Sequence, residues 1–132
     1  MGNKRSGSVG KNFPPIVRDS FRFLEDEYGV PAPDYDAERS TVTYDGAAVR
    51  YVVGLDRVEH RISLVVLVGR VGASVEEVVA AVGLEPPPKI RSTATSLRSL
   101  EQSVESHAAV VRALHPRLAG PGGADLLRAA QR

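Results

Sequence analysis

The chain of 132 residues contains no cysteine and no tryptophan, and aromatic residues make up 5% of the sequence. The lack of cysteine excludes a disulfide framework, a thiol nucleophile and a metal site with cysteine ligands. No apolar run approaches the length of a membrane span, and the N-terminus has no apolar segment of the signal-peptide type. We therefore expect a cytoplasmic protein without membrane attachment.

An excess of charge of one sign is also missing. The chain has 17 basic and 16 acidic residues, so its formal net charge is +1. A balanced charge gives no electrostatic reason to expect binding to nucleic acid. Single-strand recognition would also need a stripe of basic and aromatic residues, and the sequence has none. We expect no nucleic-acid partner.

Motifs that carry known chemistry are absent from the sequence. The three histidines, His60, His107 and His115, do not have the spacing of a metal site, and no serine lies in a Gly-x-Ser-x-Gly elbow. Gly69 and Gly72 lack the lysine and hydroxyl residue that complete a phosphate loop. His60 is interpreted as an exposed loop residue. We expect no catalytic residue, no metal and no cofactor.

Residues 41–68 show the strand pattern that dominates the sequence. Asp45-Gly46 between alternating segments predicts a tight hairpin, with Tyr44 opposite Ala47. A second turn would place Leu55 opposite Ile62. Because alternate residues share a side of a sheet, these strands predict one apolar core face. Its members are Val42, Tyr44, Val49, Tyr51, Val53, Leu55, Ile62, Leu64, Val66 and Val68.

The reverse face of the same strands should be polar, and Thr41, Thr43, Arg61 and Ser63 fit that expectation. Three apolar residues break the alternation, because Val52 lies opposite Val65 and Leu67 follows two positions later. Either a loop or a terminal helix of the chain covers them, or they form a contact surface. We predict a partner-binding group of four residues: Arg50, Val52, Val65 and Leu67.

Helical signals flank the strands. The Ser74–Glu77 capping box opens a short helix that ends at Gly83, and a longer amphipathic helix covers residues 96–115, with Pro116 ending or kinking it. Lys89–Thr95 is either an irregular connection or a fourth strand at the sheet edge. The predicted fold is α+β: an antiparallel three- to four-stranded β-meander with an N-terminal helix and a long C-terminal helix packed on one face.

The segment boundaries follow from glycine, serine and proline. Residues 1–12 are polar and Gly/Ser-rich, which predicts a disordered tail. Pro14 and Pro15 suit the first turn of the N-terminal helix, which ends before Gly29. A single domain should therefore cover residues 13–118. Residues 119–132 contain the Gly/Pro break and then a short C-terminal helix, around residues 125–130, or a tail.

The first helix closes with Phe21-Arg-Phe23-Leu24-x-x-Glu27-Tyr28-Gly29. This signature, with the meander, the small helix at Ser74–Leu84 and the C-terminal helix, resembles a group of small bacterial α+β proteins of uncharacterised or immunity-like type. The resemblance covers about residues 14–118. It implies a protein-binding role, with a toxin as the partner, and supplies no catalytic residue.

The predicted function is a non-enzymatic protein-interaction module of the toxin-neutralising kind, with a protein partner or a second copy of the chain as its ligand. One alternative is a small-molecule-binding domain or small enzyme with a pocket between sheet and helices, where Tyr44, Tyr51 and His107 would supply the polar groups. The competing interpretation is a pair of core tyrosines with structural hydrogen-bond partners and a histidine on the surface. A second alternative is a structural or secretion-chaperone-like subunit.

Overall fold

The computed structural model describes residues 3–131, and it describes side chains from residue 9 onward. Five helices and five strands follow one another within this range. The helices are α1 (Asn3–Ser20), α2 (Arg22–Asp26), α3 (Val75–Val82), α4 (Leu97–Leu118) and α5 (Gly123–Ala130). The strands are β1 (Asp34–Asp36), β2 (Thr41–Asp45), β3 (Arg50–Asp56), β4 (Arg61–Val68) and β5 (Val71–Ser74).

The strands form one antiparallel sheet in the order β1-β2-β3-β4-β5, so each strand pairs with its neighbour in sequence. This confirms the α+β meander with its N-terminal and long C-terminal helices, and the sheet has one strand more than the upper prediction. Two of the five strands lie outside the predicted three-stranded meander, and they are the short edge strands β1 and β5. β1 pairs with β2 through Tyr35 and Val42, and β5 pairs with β4 through Ala73 and Val66.

The first predicted hairpin register was wrong. Asp45 pairs with Arg50, and Tyr44 pairs with Tyr51 instead of Ala47, so residues 46–49 form a four-residue loop. The true partner of Tyr44 lies four residues beyond the predicted one. Because four is an even number, the shift leaves every side chain on its predicted side of the sheet. The second register, with Leu55 opposite Ile62, is confirmed.

The core lies on the face that the strand pattern predicted. Tyr44, Tyr51, Val53 and Val66 have no solvent-exposed surface, and the helices contribute their buried side chains to the same cluster. α1 supplies Val9, Phe13 and Val17, α4 supplies a stripe from Leu100 to Leu118, and α5 supplies Leu127. Sheet and helices therefore form two layers around one hydrophobic core.

The N-terminal helix begins earlier than the sequence predicted. Residues 3–12, which were assigned to a disordered tail, are the first part of α1, and residues 1 and 2 lie outside the described range. Val9 is 5% exposed and lies one helical turn before the buried Phe13, which explains why the helix extends toward the N-terminus. Pro14 and Pro15 consequently occupy the interior of α1 instead of its first turn.

The C-terminal helices also differ from the prediction at one proline. α4 continues through Pro116 to Leu118, which is 1% exposed. Proline removes the hydrogen bond to the carbonyl four residues earlier, that of Arg112, and both residues lie on the exposed side of α4. Water can satisfy that carbonyl, so the helix need not end there. The predicted helix after the Gly/Pro break is α5.

The connection between α3 and α4 is irregular, which settles the alternative left open for Lys89–Thr95. A single bridge joins Arg61 to Thr93. The amide of Ile62 donates to the carbonyl of Ser92 (2.7 Å), and the amide of Ala94 donates to that of His60 (2.8 Å). The segment therefore continues the edge of β4 beyond the end of β5.

Candidate functional site

The four residues predicted to bind a partner lie together on β3 and β4. Val52 is directly opposite Val65, and Arg50 is directly opposite Leu67. The two pairs are consecutive on the same side of the sheet, so their side chains form one contiguous group. We call this group the open-face patch: Arg50, Val52, Val65 and Leu67.

The exposure of the open-face patch contrasts with that of its neighbours in sequence. Val65 is 39% exposed and Val52 and Leu67 are half-buried, whereas Val53 and Val66 have no exposed surface. All described helices contribute buried side chains to the core cluster on the other face. The first of the two sequence alternatives, coverage by a loop or a terminal helix, therefore does not hold for Val65 within residues 3–131.

The neighbouring strands place small or polar residues beside the patch. Thr43 lies opposite Val52 on one side, and Ser74 lies opposite Val65 on the other. Gly72 faces Leu67 across the β4–β5 pair, and a Cβ atom at Gly72 would come within 3.2 Å of the Leu67 side chain. The absence of a side chain at Gly72 thus leaves room for the Leu67 side chain to pack against β5. The sequence prediction missed this contribution because it did not contain β5.

Arg50 brings a charge to the edge of the patch. Its Nε and Nη2 atoms donate to the two carboxylate oxygens of Asp45, each at 3.2 Å. Both side chains are more than half exposed, so this pair contributes little to stability. A partner carboxylate could replace Asp45 at small energetic cost.

The residues suspected of lining a pocket do not come together as a site open to solvent. Tyr44, Tyr51 and His107 are each 0% exposed, so the interpretation of His107 as a surface histidine was wrong. Tyr44 stacks on Phe21, with ring centroids 5.8 Å apart, and its hydroxyl has no hydrogen-bond partner among the described residues. His107 lies on α4, where its Nδ1 is 2.8 Å from the carbonyl oxygen of Ser103.

Tyr51 and His115 form a buried polar pair that the sequence did not predict. The Tyr51 hydroxyl is 2.7 Å from Nδ1 of His115, and the Tyr28 ring covers the imidazole at a centroid distance of 4.3 Å. Burial lowers the pKa of His115 and raises that of Tyr51. Both groups are therefore neutral near pH 7, and one hydrogen bond between them gives each buried group a partner in either imidazole tautomer.

A concave region lies at the end of the sheet that carries the β3–β4 turn. Residues of α1, of β1, of the β3–β4 turn and of the segment before α4 surround a cleft of about 420 Å³. We call it the sheet-end cleft; its lining residues are Val9, Gly10, Lys11, Tyr35, Leu55, Arg57, His60 and Thr95. Sequence reasoning missed it because three of these residues had been assigned to the tail and His60 to an isolated loop.

Two further kinds of site were sought in the described residues. None of the helices there has the length and apolar character that crossing a membrane requires. Within residues 3–131, no group of three or more His, Asp or Glu side chains is arranged to hold a metal ion.

Comparisons with protein-family models, with curated proteins and with solved structures found no match to this chain. The structure alone therefore defines the fold class of this protein. It is an α+β protein with a five-stranded antiparallel meander, helices on one face of the sheet and the open-face patch on the other.

Proposed function

We propose that this protein is a non-enzymatic protein-interaction module and that the open-face patch is its contact surface. The observation that carries the proposal is the exposure of Val65, at 39%, on a strand whose next residue is fully buried. A sheet face that is rigidly held by the core behind it loses little conformational freedom on binding. Apolar side chains fixed on such a face are suited to recognising a preformed partner surface.

The size of the face indicates what kind of partner fits. Five strands about 4.8 Å apart span about 19 Å, and the longer strands extend for about 20–25 Å, which gives roughly 400 Å² of flat surface. A standard interface buries about 800 Å² on each partner. The face is about half of that size, and obligate homodimers use larger and more apolar interfaces, so it favours a transient contact with a different protein over a permanent second copy.

The chemistry of the partner follows from the patch. Apolar side chains would pack on Val52, Val65 and Leu67, and a carboxylate would take the place of Asp45 beside Arg50. Burial of a charge-assisted pair next to an apolar centre gives specificity as well as affinity. The sequence resemblance to immunity-like proteins makes a toxin encoded next to this gene the first partner to test.

The test compares two valine substitutions with the same chemistry. Val65→Lys places a charge in the open-face patch, and Val58→Lys places one at a valine that is 88% exposed in the β3–β4 turn. The purified products of the adjacent genes are titrated into each variant by calorimetry, and self-association is followed by sedimentation velocity. Circular dichroism verifies that both variants are folded.

We expect a wild-type complex that Val65→Lys weakens by about tenfold or more and that Val58→Lys leaves unchanged. Equal binding by the two variants would contradict the assignment of the patch. The absence of both a complex and self-association would contradict the proposed function itself.

A further inference from the structure

The sheet-end cleft brings basic side chains from distant parts of the chain to one place. Lys11 comes from α1, whereas Arg57 and His60 come from the β3–β4 turn. Neither Lys11 nor Arg57 forms an ion pair with any residue in the part of the chain that the structure describes. Arg50 and Arg112, by contrast, each contact a carboxylate. The cleft is therefore lined by two cationic side chains that have no ion-pair partner within the described residues.

Two acidic residues, Asp56 and Glu59, lie next to these basic residues in sequence, and neither is among the residues that line the cleft. One carboxylate oxygen of Asp56 accepts hydrogen bonds from the amides of Val58 and Glu59, each at 2.9 Å. These bonds lower the pKa of Asp56 and keep the group ionised as the cap of the turn. Among the described residues that line the cleft, Lys11 and Arg57 are cations and none is acidic.

The walls of the cleft are held in place by backbone contacts. His60 has a φ of 54°, a left-handed conformation that is uncommon for a residue other than glycine. Its carbonyl accepts from the amide of Ala94, which fixes the turn beside Thr95. On the opposite wall the Arg57 guanidinium lies against Gly10, where a Cβ atom would be 3.6 Å from Nη2. The turn at His60 and the Arg57 guanidinium are thus positioned before any ligand arrives.

The remaining lining is apolar or aromatic. Val9 and Leu55, each 5% exposed, lie where the cleft meets the core. Tyr35 on the edge strand β1 is 44% exposed and presents both a ring and a hydroxyl. A volume of about 420 Å³ lies in the range of small-molecule sites, which combine apolar walls with a few convergent polar groups.

We propose that the sheet-end cleft binds a small organic anion in which a phosphate or carboxylate group is attached to an aromatic or apolar group. Lys11, Arg57 and His60 hold the anionic group, and Tyr35 and Leu55 contact the apolar part. Arginine suits this role because its planar fork matches a phosphate or carboxylate in two-point geometry. The site shares no residue with the open-face patch, so either assignment can fail without the other.

The experiment is a titration of the full chain followed by NMR of the backbone amides. Phenyl phosphate is the probe, because it combines the two features that the cleft selects; inorganic phosphate and phenol carry one feature each. The amides of Gly10, His60 and Thr95 report on the cleft. Arg57→Gln removes one cation, and Lys11→Gln is a second variant in case the first disturbs the turn.

Arg70→Gln is the matched control. Arg70 is exposed and lies in the β4–β5 turn, at the other end of β4 from His60. Eight residues of strand separate the two turns, about 25 Å. If binding depended only on the total positive charge of the protein, Arg70→Gln would lower the affinity as much as Arg57→Gln and Lys11→Gln.

We expect saturable shifts at the cleft amides with phenyl phosphate, weaker binding of inorganic phosphate and phenol, and a loss of about tenfold or more in affinity in Arg57→Gln and Lys11→Gln only. Equal affinity for inorganic phosphate would overturn the apolar part of the proposal. Equal affinity for phenol would overturn the anionic part. Shifts that do not saturate, or an equal loss in Arg70→Gln, would overturn the site.

Discussion

Two adjacent valines on β3 provide the strictest comparison of the two faces of the sheet. Val53 is fully buried in the core, and Val52 is half-buried in the open-face patch. Val→Ala removes two methyl groups, and at about 0.8 kcal/mol for each buried group this gives about 1.6 kcal/mol at Val53. The cavity left in a packed core raises the expected loss in free energy of unfolding to about 2–3 kcal/mol.

Val52→Ala should cost less than about 1 kcal/mol, because its side chain already contacts water. Both substitutions replace a valine by alanine on β3 and change the β-propensity in the same way. The difference between their losses in free energy of unfolding therefore measures the effect of burial. Urea unfolding followed by circular dichroism should separate the two midpoints by about 1 M, with unchanged slopes. Equal losses would refute the argument, because they would mean that both faces of the sheet are buried.

Three further predictions concern buried polar groups and one helix cap. Tyr51→Phe should cost about 1–3 kcal/mol because it leaves Nδ1 of His115 buried without a hydrogen-bond partner, whereas Tyr44→Phe should cost less than about 0.5 kcal/mol because that hydroxyl has no partner among the described residues. Thermal melts of the two variants check this contrast. Burial lowers the pKa of His107 and His115 from 6.5, so the unfolded chain binds protons more readily than the folded one. The free energy of unfolding is therefore highest above pH 6.5 and falls as the pH falls below that value, by up to about 1.4 kcal/mol per pH unit for each histidine. His107→Leu should make this pH dependence weaker in urea titrations. Ser74→Ala removes the capping box of α3 and should lower the free energy of unfolding by about 1 kcal/mol in the same urea titration, while a loss below about 0.3 kcal/mol would contradict the assigned role of the cap.

The parts of the fold that were predictable are those encoded by local periodicity. Alternation along β3 and β4 placed Val53 and Leu64 in the core and Val52 and Val65 on the other face, as the structure has them. The hairpin loop was mispredicted because Asp45-Gly46 is also compatible with a longer loop, and the apolar pattern is unchanged by a shift of four residues.

The sheet-end cleft could not be predicted for a different reason. Its residues lie at positions 9–11, 35, 55–60 and 95, and only the tertiary fold brings them together. The polar composition of residues 1–12 indicated disorder, while a single buried valine, Val9, favours the helix instead. Pro14 and Pro15 were wrongly assigned to the first turn of α1, and Pro116 does not end α4, because packing of the flanking helical residues outweighs the missing hydrogen bonds.

The central claim, that the open-face patch is a contact surface, can be tested most directly by solvent accessibility of its methyl groups. Relaxation of valine and leucine methyl signals by a soluble nitroxide is measured for the free protein and for its complex with the partner protein. Val58 serves as the exposed reference and Val66 as the buried one.

The account predicts that Val65 relaxes strongly in the free protein, as Val58 does, and that binding of the partner protects the methyl groups of Val65 and of the other apolar patch residues but not those of Val58. Weak relaxation of Val65 in the free protein, or continued exposure of Val65 when the partner is bound, would contradict it.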